Sequence, residues 1–468
     1  MPKATRPSVR PALIALGLLC FGVSVPATHA AESGWRAGLA RVRITPDEPI
    51  AMSGYGPRVS EGVLDDLDAK ALALEDDQGH RALLLTADLL FFRAPFAELL
   101  CREISRKTGL KREQVLLNAS HTHAGPVFGV RDPDRFDLDE NQRRIVRAYT
   151  DRIEEQLVAL AVAAVADLKP AALAWGKGTA DRFVMNRRLL DERGKCRGMG
   201  PNPQGPVDRD VPVLRVDRRG ASPAALVFGC ACHGVTLDGQ NRKISGDYAG
   251  FAQRLVEEQH PGSQAMFVAG CGADANPEPR GGPTQEEWVV RHGETLGREV
   301  CRVAAGPLEP VRGPLCVQLE WTDLPLEHAR SRGQLEEIAA GGSYWHARNA
   351  KGMLAVLDRG EPLPRHYRAP IALWQFGGDL TLVGLPGEAV ADYVRLLQEA
   401  LGPDRLWVAA YANESFGYLP TTPILAEGGH ETIGLTLDVG LFSAGVEDVV
   451  VAAVRQLAEQ AGRALRAR

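Results

Sequence analysis

The sequence predicts an α/β fold in which mixed β-sheets are flanked by helices. Three observations carry that reading. Short apolar runs of strand type alternate with helix-like segments along the chain. Polar motifs tend to follow an apolar run and precede a helix, the arrangement by which open α/β sheets gather ligand-binding loops at their strand ends. No internal repeat, low-complexity tract or obvious linker interrupts the pattern, so one catalytic domain over 31–468 fits better than several domains.

Taken in order, Ala82-Leu-Leu-Leu-Thr-Ala-Asp88 reads as a buried strand and Ala94–Thr108 as a helix ended by Gly109. Gln114-Val-Leu-Leu117 is the next strand. A long helix follows from about Glu140 to Leu168, stopped by Pro170, with Ile145, Tyr149, Ile153, Leu157 and Leu160 on one face. The stretch 182–210 is rich in Gly, Pro, Arg and Asn and reads as a long loop, of the kind that is usually functional or disordered. Ala224–Phe228 is a strand, Asp247 caps a helix to Gln259, and Gln264–Ala269 is a strand before a helix from Glu286 to Ala304. Arg368–Phe376 and Asp379–Val383 form a hairpin turned by Gly377-Gly-Asp379. A helix to Leu401, a strand at Val408–Tyr411 and a helix from about Val446 complete the chain.

The chemistry centres on Asn118-Ala-Ser-His-Thr-His-Ala-Gly-Pro126. An apolar strand precedes it and Ala-Gly-Pro turns the chain after it. Alternation along an extended segment sends His121 and His123 to one face, where two imidazoles can share a metal or a metal and its substrate. The plainer alternative is a hydrogen-bonded turn with two ordinary histidines. Four more polar motifs, at His233, Asn276, Glu388 and Tyr418, sit in comparable places after strands.

Composition narrows the classes. The first thirty residues resemble a secretory signal, with Lys3, Arg6 and Arg10, an apolar stretch to Val23, and Thr28-His-Ala30 before a cleavage point near Ala30. Leu19 before Cys20 argues against a lipid anchor. A secreted or periplasmic protein is expected. Without that segment the chain has 51 basic and 59 acidic side chains, net −8, which argues against nucleic acid and against simple electrostatic docking on anionic membranes. At most peripheral membrane contact is expected, and oligomeric state stays open. Seven cysteines remain, so at least one thiol is unpaired in a monomer. Cys230, Cys232 and Cys271 read as buried small residues, and disulfides elsewhere are permitted by the compartment.

Ser120-His-Thr-His-Ala-Gly-Pro126 resembles the histidine motif of the neutral and alkaline ceramidases, secreted zinc amidases that split ceramide into sphingosine and fatty acid. The resemblance continues in order through Asn186-Arg187, Cys232-His-Gly234, Ile244-Ser-Gly-Asp247, Gly272-Ala-Asp-Ala-Asn-Pro277, Leu385-Pro-Gly-Glu388 and Tyr418-Leu-Pro-Thr-Thr422. It implies one zinc per chain held by His121, His233, Glu388 and Tyr418. His123 would border the site, lying about 6.6 Å further along an extended strand, and Arg187 would help hold a small-molecule or lipid substrate. Two imidazoles and a carboxylate suit catalytic zinc, whereas a tyrosine ligand is unusual. Taken singly, Glu388 could be a first-turn acid favoured by the helix dipole and Tyr418 a packed aromatic.

The chain departs from the family in three respects. Asn276 stands where the family has a serine needed for activity; an amide is no nucleophile but can donate to an oxyanion. His430 stands where the family has a tyrosine that supports the oxyanion. The family's C-terminal immunoglobulin-like domain has no counterpart before the chain ends. Asn276, His430, His123 and Arg187 are therefore the candidate catalytic residues around the metal. Three readings compete: a ceramidase-like zinc amidase, a zinc hydrolase of the same fold acting on another amide, an ester or a sugar-derived compound, and a non-catalytic zinc-containing binding protein.

Overall fold

In the strand Arg81–Ala87 of the computed structural model, Leu83 and Leu85 pack into one core and Ala82 and Leu84 into another, so both faces of the strand are buried. That double burial is why its sequence is a continuous apolar run rather than an alternating one. Residues 1, 34–129, 138–327, 330–342, 344–432 and 440–465 are described; the expected signal segment, apart from Met1, lies outside them.

Two sheets stack. The nine-stranded sheet runs in the order Gln264–Ala269, Ala221–Cys230, Asp210–Arg218, Lys169–Thr179, Trp35–Arg43, Asp68–Glu75, Arg81–Ala87, Val115–Ala119, with Glu309–Val311 paired onto Lys169–Thr179. The four-stranded sheet runs Leu315–Pro325, His366–Phe376, Leu380–Gly384, Leu406–Ala409. Between them lies a core that includes Leu84, Leu116, Trp175, Val227 and Met266 from the first sheet and Trp374, Leu382 and Trp407 from the second. Helices Glu140–Ala166, Asp247–Gln259 and Gln285–Ala305 contact strands of the first sheet, while Asp392–Leu401 and Val446–Gln460 contact strands of the second.

Within these two sheets most neighbours are antiparallel, but three pairs are parallel: Arg81–Ala87 with Val115–Ala119, Ala221–Cys230 with Gln264–Ala269, and Leu380–Gly384 with Leu406–Ala409. Their carboxyl ends meet where the sheets join. Asn118, fully buried, stitches that junction: its Oδ1 accepts from Ala269 N at 2.9 Å and its Nδ2 donates to Ala410 O at 2.8 Å.

The expected loop 182–210 is instead largely a β-hairpin of Val184–Leu190 and Cys196–Asn202, with Ala275–Pro277 paired on its other side. Its strands escape a hydrophobicity reading because Arg187 and Arg188 turn inward while Leu189 and Leu190 turn outward. The long helix ends at Ala166, and Pro170 belongs to the following strand, paired with Arg36. Asp247 is not the cap of its helix. Gly246 is, and Asp247, at φ 52°, turns its carboxylate back to accept from Thr236 N (3.3 Å) and Leu237 N (3.0 Å). All seven cysteines beyond the signal segment are free thiols, and Cys230, Cys232 and Cys271 are buried.

Candidate metal centre

The strand Val115–Ala119 delivers Ser120 and His121 to the sheet junction, where His121 N donates to Leu89 O. The backbone then leaves the extended conformation: His121 has φ 61°, a left-handed geometry that a bulky residue adopts only when its surroundings impose it. This kink overturns the extended-chain spacing expected between the two histidines. Nε2 of His123 lies 3.2 Å from Nε2 of His121, far less than two strand residues apart.

His233 follows the strand Ala221–Cys230, which lies near the opposite edge of the nine-stranded sheet. A parallel bridge joins Thr122 to Gly234, and His123 N donates to Gly234 O at 2.9 Å. A Cβ on Gly234 would sit 2.6 Å from His121 O, so only glycine lets the two loops close together. Glu388 and Tyr418 come from the second sheet's side. They are register partners on a two-stranded parallel ladder, Glu388–Ala389 with Tyr418–Leu419.

The donor set fits a cation. Nδ1 of His121 faces Leu90 O and Nδ1 of His233 faces Gly272 O, each at 2.9 Å. A carbonyl only accepts, so both Nδ1 atoms carry the proton and both Nε2 atoms present lone pairs. Those Nε2 atoms lie 3.2 and 3.3 Å from the same Glu388 oxygen, Oε2. His233 Nε2 and Glu388 Oε2 are buried without a hydrogen-bond partner. Three electron-rich atoms converging without a proton to share are stabilised by a positive ion among them. The nearest nitrogens of His121, His123 and His233 all lie within 4.8 Å of one another. Burial, with Arg187 and His121 behind it, holds His233 down to about 3, so it is a neutral donor at neutral pH. Burial likewise holds His123 well below its ordinary value.

Arg187 is the hub beside this cluster. Its Nε donates to Glu431 Oε1 at 2.8 Å, Nη2 to Tyr418 Oη at 3.1 Å, and Nη1 to Asn276 Oδ1 at 3.3 Å. Since arginine only donates, Asn276 must turn its oxygen to Arg187 and its amide nitrogen away. Burial and the Glu388 charge push the Tyr418 phenol up, against the pull of Arg187. The His430 ring stands edge-on to Tyr418 with centroids 5.2 Å apart, and burial followed by the Arg187 charge lowers its pKa.

Several residues at the site carried no assignment from the sequence. Glu431, 1% exposed, also accepts from Arg188 Nη1, and Arg188 Nη2 reaches Glu427 at 2.8 Å. Tyr411 stacks on His121 with centroids 4.3 Å apart. The segment Ser53-Gly-Tyr-Gly56 packs on His123: a Cβ at Gly54 would meet the ring at 2.5 Å, and the Tyr55 ring lies 5.0 Å away. The two glycines flanking Tyr55 were the available signal, since they mark a turn at close quarters.

Layered sheets with a histidine–carboxylate cluster at their joined strand ends define an α/β protein with a metal-type donor set. The sequence profile of the neutral/alkaline non-lysosomal ceramidase N-terminal region matches residues 35–287, more than half of the chain, and the protein belongs to that family. Neutral ceramidase A of Dictyostelium discoideum is 24% identical over 265 residues, covering 53% of this chain and 37% of the relative. Neutral ceramidase of Mycobacterium tuberculosis is 26% identical over 271 residues, covering 56% and 39%. These matches thus span well under half of the relatives' own length. The fold matches the crystal structure of neutral ceramidase from Pseudomonas aeruginosa with a TM-score of 0.69 at 20% identity, over 92% of this chain and 75% of that one.

Proposed function

We propose that residues 31–468 form a zinc-dependent hydrolase of the neutral ceramidase type that cleaves an amide, with a lipid amide such as an N-acyl sphingosine as its substrate. The single observation that carries the metal part is the convergence of two Nε2 lone pairs on one buried, otherwise unpartnered Glu388 oxygen. His121, His233, Glu388 and Tyr418 would hold one zinc, and His123 would stand beside it. Bound there, zinc supplies Lewis acidity for activating water and polarising the scissile carbonyl. Asn276, anchored through Oδ1 by Arg187, would offer its amide nitrogen to the carbonyl oxygen as negative charge develops. His430, kept neutral by burial, would donate or accept a proton across the same bond. With both Nη groups of Arg187 engaged by Asn276 and Tyr418, its role is to orient those two side chains. Export of the chain, with the signal removed near Ala30, goes with this reading.

The second reading keeps the metal and changes the substrate to another amide or an ester, and Asn276 favours it because the family's serine stands there. A panel on the zinc-loaded protein separates the two. Hydrolysis of a fluorescent short-chain ceramide well above that of simple amides and esters supports the first. Turnover of the simple substrates with none of the ceramide overturns it.

A further inference from the structure

Tyr411 carries a buried hydroxyl for which the fold supplies no partner. The residue is 1% exposed, and its Oη makes no hydrogen bond among the described residues. The ring alone would serve the packing, whereas a buried hydroxyl left unpaired is costly. That hydroxyl belongs to the metal centre. The Tyr411 ring stacks on His121 at an interplanar angle of 30° and meets His233 edge-on with centroids 6.4 Å apart. Burial first, then the charges of Glu388 and Tyr418, push the phenol well above its ordinary value of 10 against the pull of Arg187. It therefore keeps its proton and is a donor.

The chain holds Tyr411 there under strain. Its backbone is left-handed at φ 53°, as is that of His121 at φ 61°, so two bulky residues in a disfavoured conformation lie ring on ring. Tyr411 N donates to Gly387 O at 2.9 Å, Asn413 N to Leu117 O at 2.7 Å, and Asn118 Nδ2 to Ala410 O at 2.8 Å. These bonds tie the turn to the residue before Glu388 and to the strand that delivers His121. Strained positions fixed this firmly by their surroundings cluster at functional sites. The acceptors nearby are committed. Nε2 of His121 and of His233 face Glu388 Oε2, and Arg187 takes Glu431 Oε1, Asn276 Oδ1 and Tyr418 Oη. The acceptor for Tyr411 is therefore one that a bound molecule brings.

We propose that Tyr411 is a catalytic residue of this centre, its hydroxyl donating to the oxygen of the scissile carbonyl as negative charge gathers there, together with the Asn276 amide. No proton is transferred: the hydrogen bond strengthens as the charge develops, and Tyr411 leaves each turnover unchanged. The inference rests on the amide-hydrolase reading for the reaction and adds a residue to it.

The test is Tyr411→Phe in the full mature protein, which deletes the oxygen and leaves the ring. Without metal the variant melts no lower than wild type, because the hydroxyl has no partner in the chain to lose. Zinc uptake in competition with a chelator stays within ~3-fold of wild type, since the phenol is not a ligand. On a soluble short-chain amide kcat falls roughly 100-fold while KM moves less than ~3-fold. Hexanoate, a carboxylate of the product class, binds the zinc-treated variant at least ~10-fold more weakly in a calorimetric titration. Turnover within ~3-fold of wild type overturns the proposal. So does a lowered metal-free melting point, which would give the hydroxyl a partner in the fold, or loss of zinc, which would make it a ligand. If wild type cleaves no amide, the amide-hydrolase reading fails by itself and hexanoate decides for Tyr411: no difference between the two proteins overturns its assignment.

Discussion

Replacing Glu431 by Gln tests whether the Arg187 hub depends on one buried anion. The Glu431 carboxylate is 1% exposed and divides its oxygens between Arg187 and Arg188, which are 4% and 3% exposed. Arg188 keeps a second carboxylate, the half-buried Glu427, but Glu431 is the one carboxylate paired with Arg187 among the described residues. Glu431→Gln removes the charge and keeps the shape, leaving a guanidinium buried without its counter-ion. Breaking a buried pair from one side costs about 3–5 kcal/mol, and the retained amide oxygen argues for the lower end, ~3 kcal/mol. Burial pushes the Glu431 carboxyl up, but Arg187 and Arg188 outweigh it and hold the group below its ordinary value of 4.5. The folded pKa is depressed, so the stabilisation is complete above about pH 4.5 and is lost as pH falls further. Urea unfolding of both proteins at neutral pH and at about pH 4 measures the cost and its acid dependence. Glu427→Gln is the control and should cost under ~1 kcal/mol. A Glu431→Gln loss below ~1 kcal/mol at neutral pH, or one that does not shrink on acidification, would refute the reasoning.

Other predictions follow from single contacts. His123→Ala should keep most of the zinc and lose most of the turnover, as elemental analysis and a rate assay would read together; metal loss as complete as in His121→Ala would make His123 a ligand, which its 3.2 Å approach to His121 makes a sharp question. Gly234→Ala should destabilise by ~1–3 kcal/mol and weaken zinc binding, since its Cβ meets His121 O at 2.6 Å and Thr122 Cα at 2.9 Å; unchanged melting and metal content would contradict that. Burial raises the Glu414 carboxyl to about 7 although Tyr367 donates to it at 2.8 Å, with Glu98 raising it further and Arg112 opposing. Its unfolded form ionises first, so wild-type stability should fall as pH rises from about 4.5 to 7, by on the order of 3 kcal/mol, and then level off. Glu414→Gln should flatten that interval; an unchanged slope would mean the carboxyl is ionised in the fold.

Much of the architecture was legible because burial writes itself into apolar runs. Arg81–Ala87 and Gln264–Ala269 are buried on both faces and could be read directly. The strand Asp68–Glu75 was missed because Lys70 is buried only through its bonds to Gln253, Glu257 and Ala265 O, which are remote in sequence. The hairpin at 184–202 was missed for the opposite reason, its charged side chains being inside and its apolar ones outside. At the site, the convergence of the motifs at His121, His233, Asn276, Glu388 and Tyr418 followed from their places after strands, while the choice of ligands among them came from the family resemblance. The kink at His121, the pairing of Glu388 with Tyr418 and the Glu431–Arg187 contact depend on tertiary closure. Local spacing carries no trace of them, which is why the 6.6 Å separation expected of an extended strand failed at His123.

The central claim is that His121, His233, Glu388 and Tyr418 hold a zinc ion. The most direct test is elemental analysis of the full chain purified without added metal, before and after dialysis against zinc. About one zinc per chain is expected in wild type, and it is lost in His233→Ala. Less than roughly a tenth of that in wild type, with no gain on adding zinc, would contradict it.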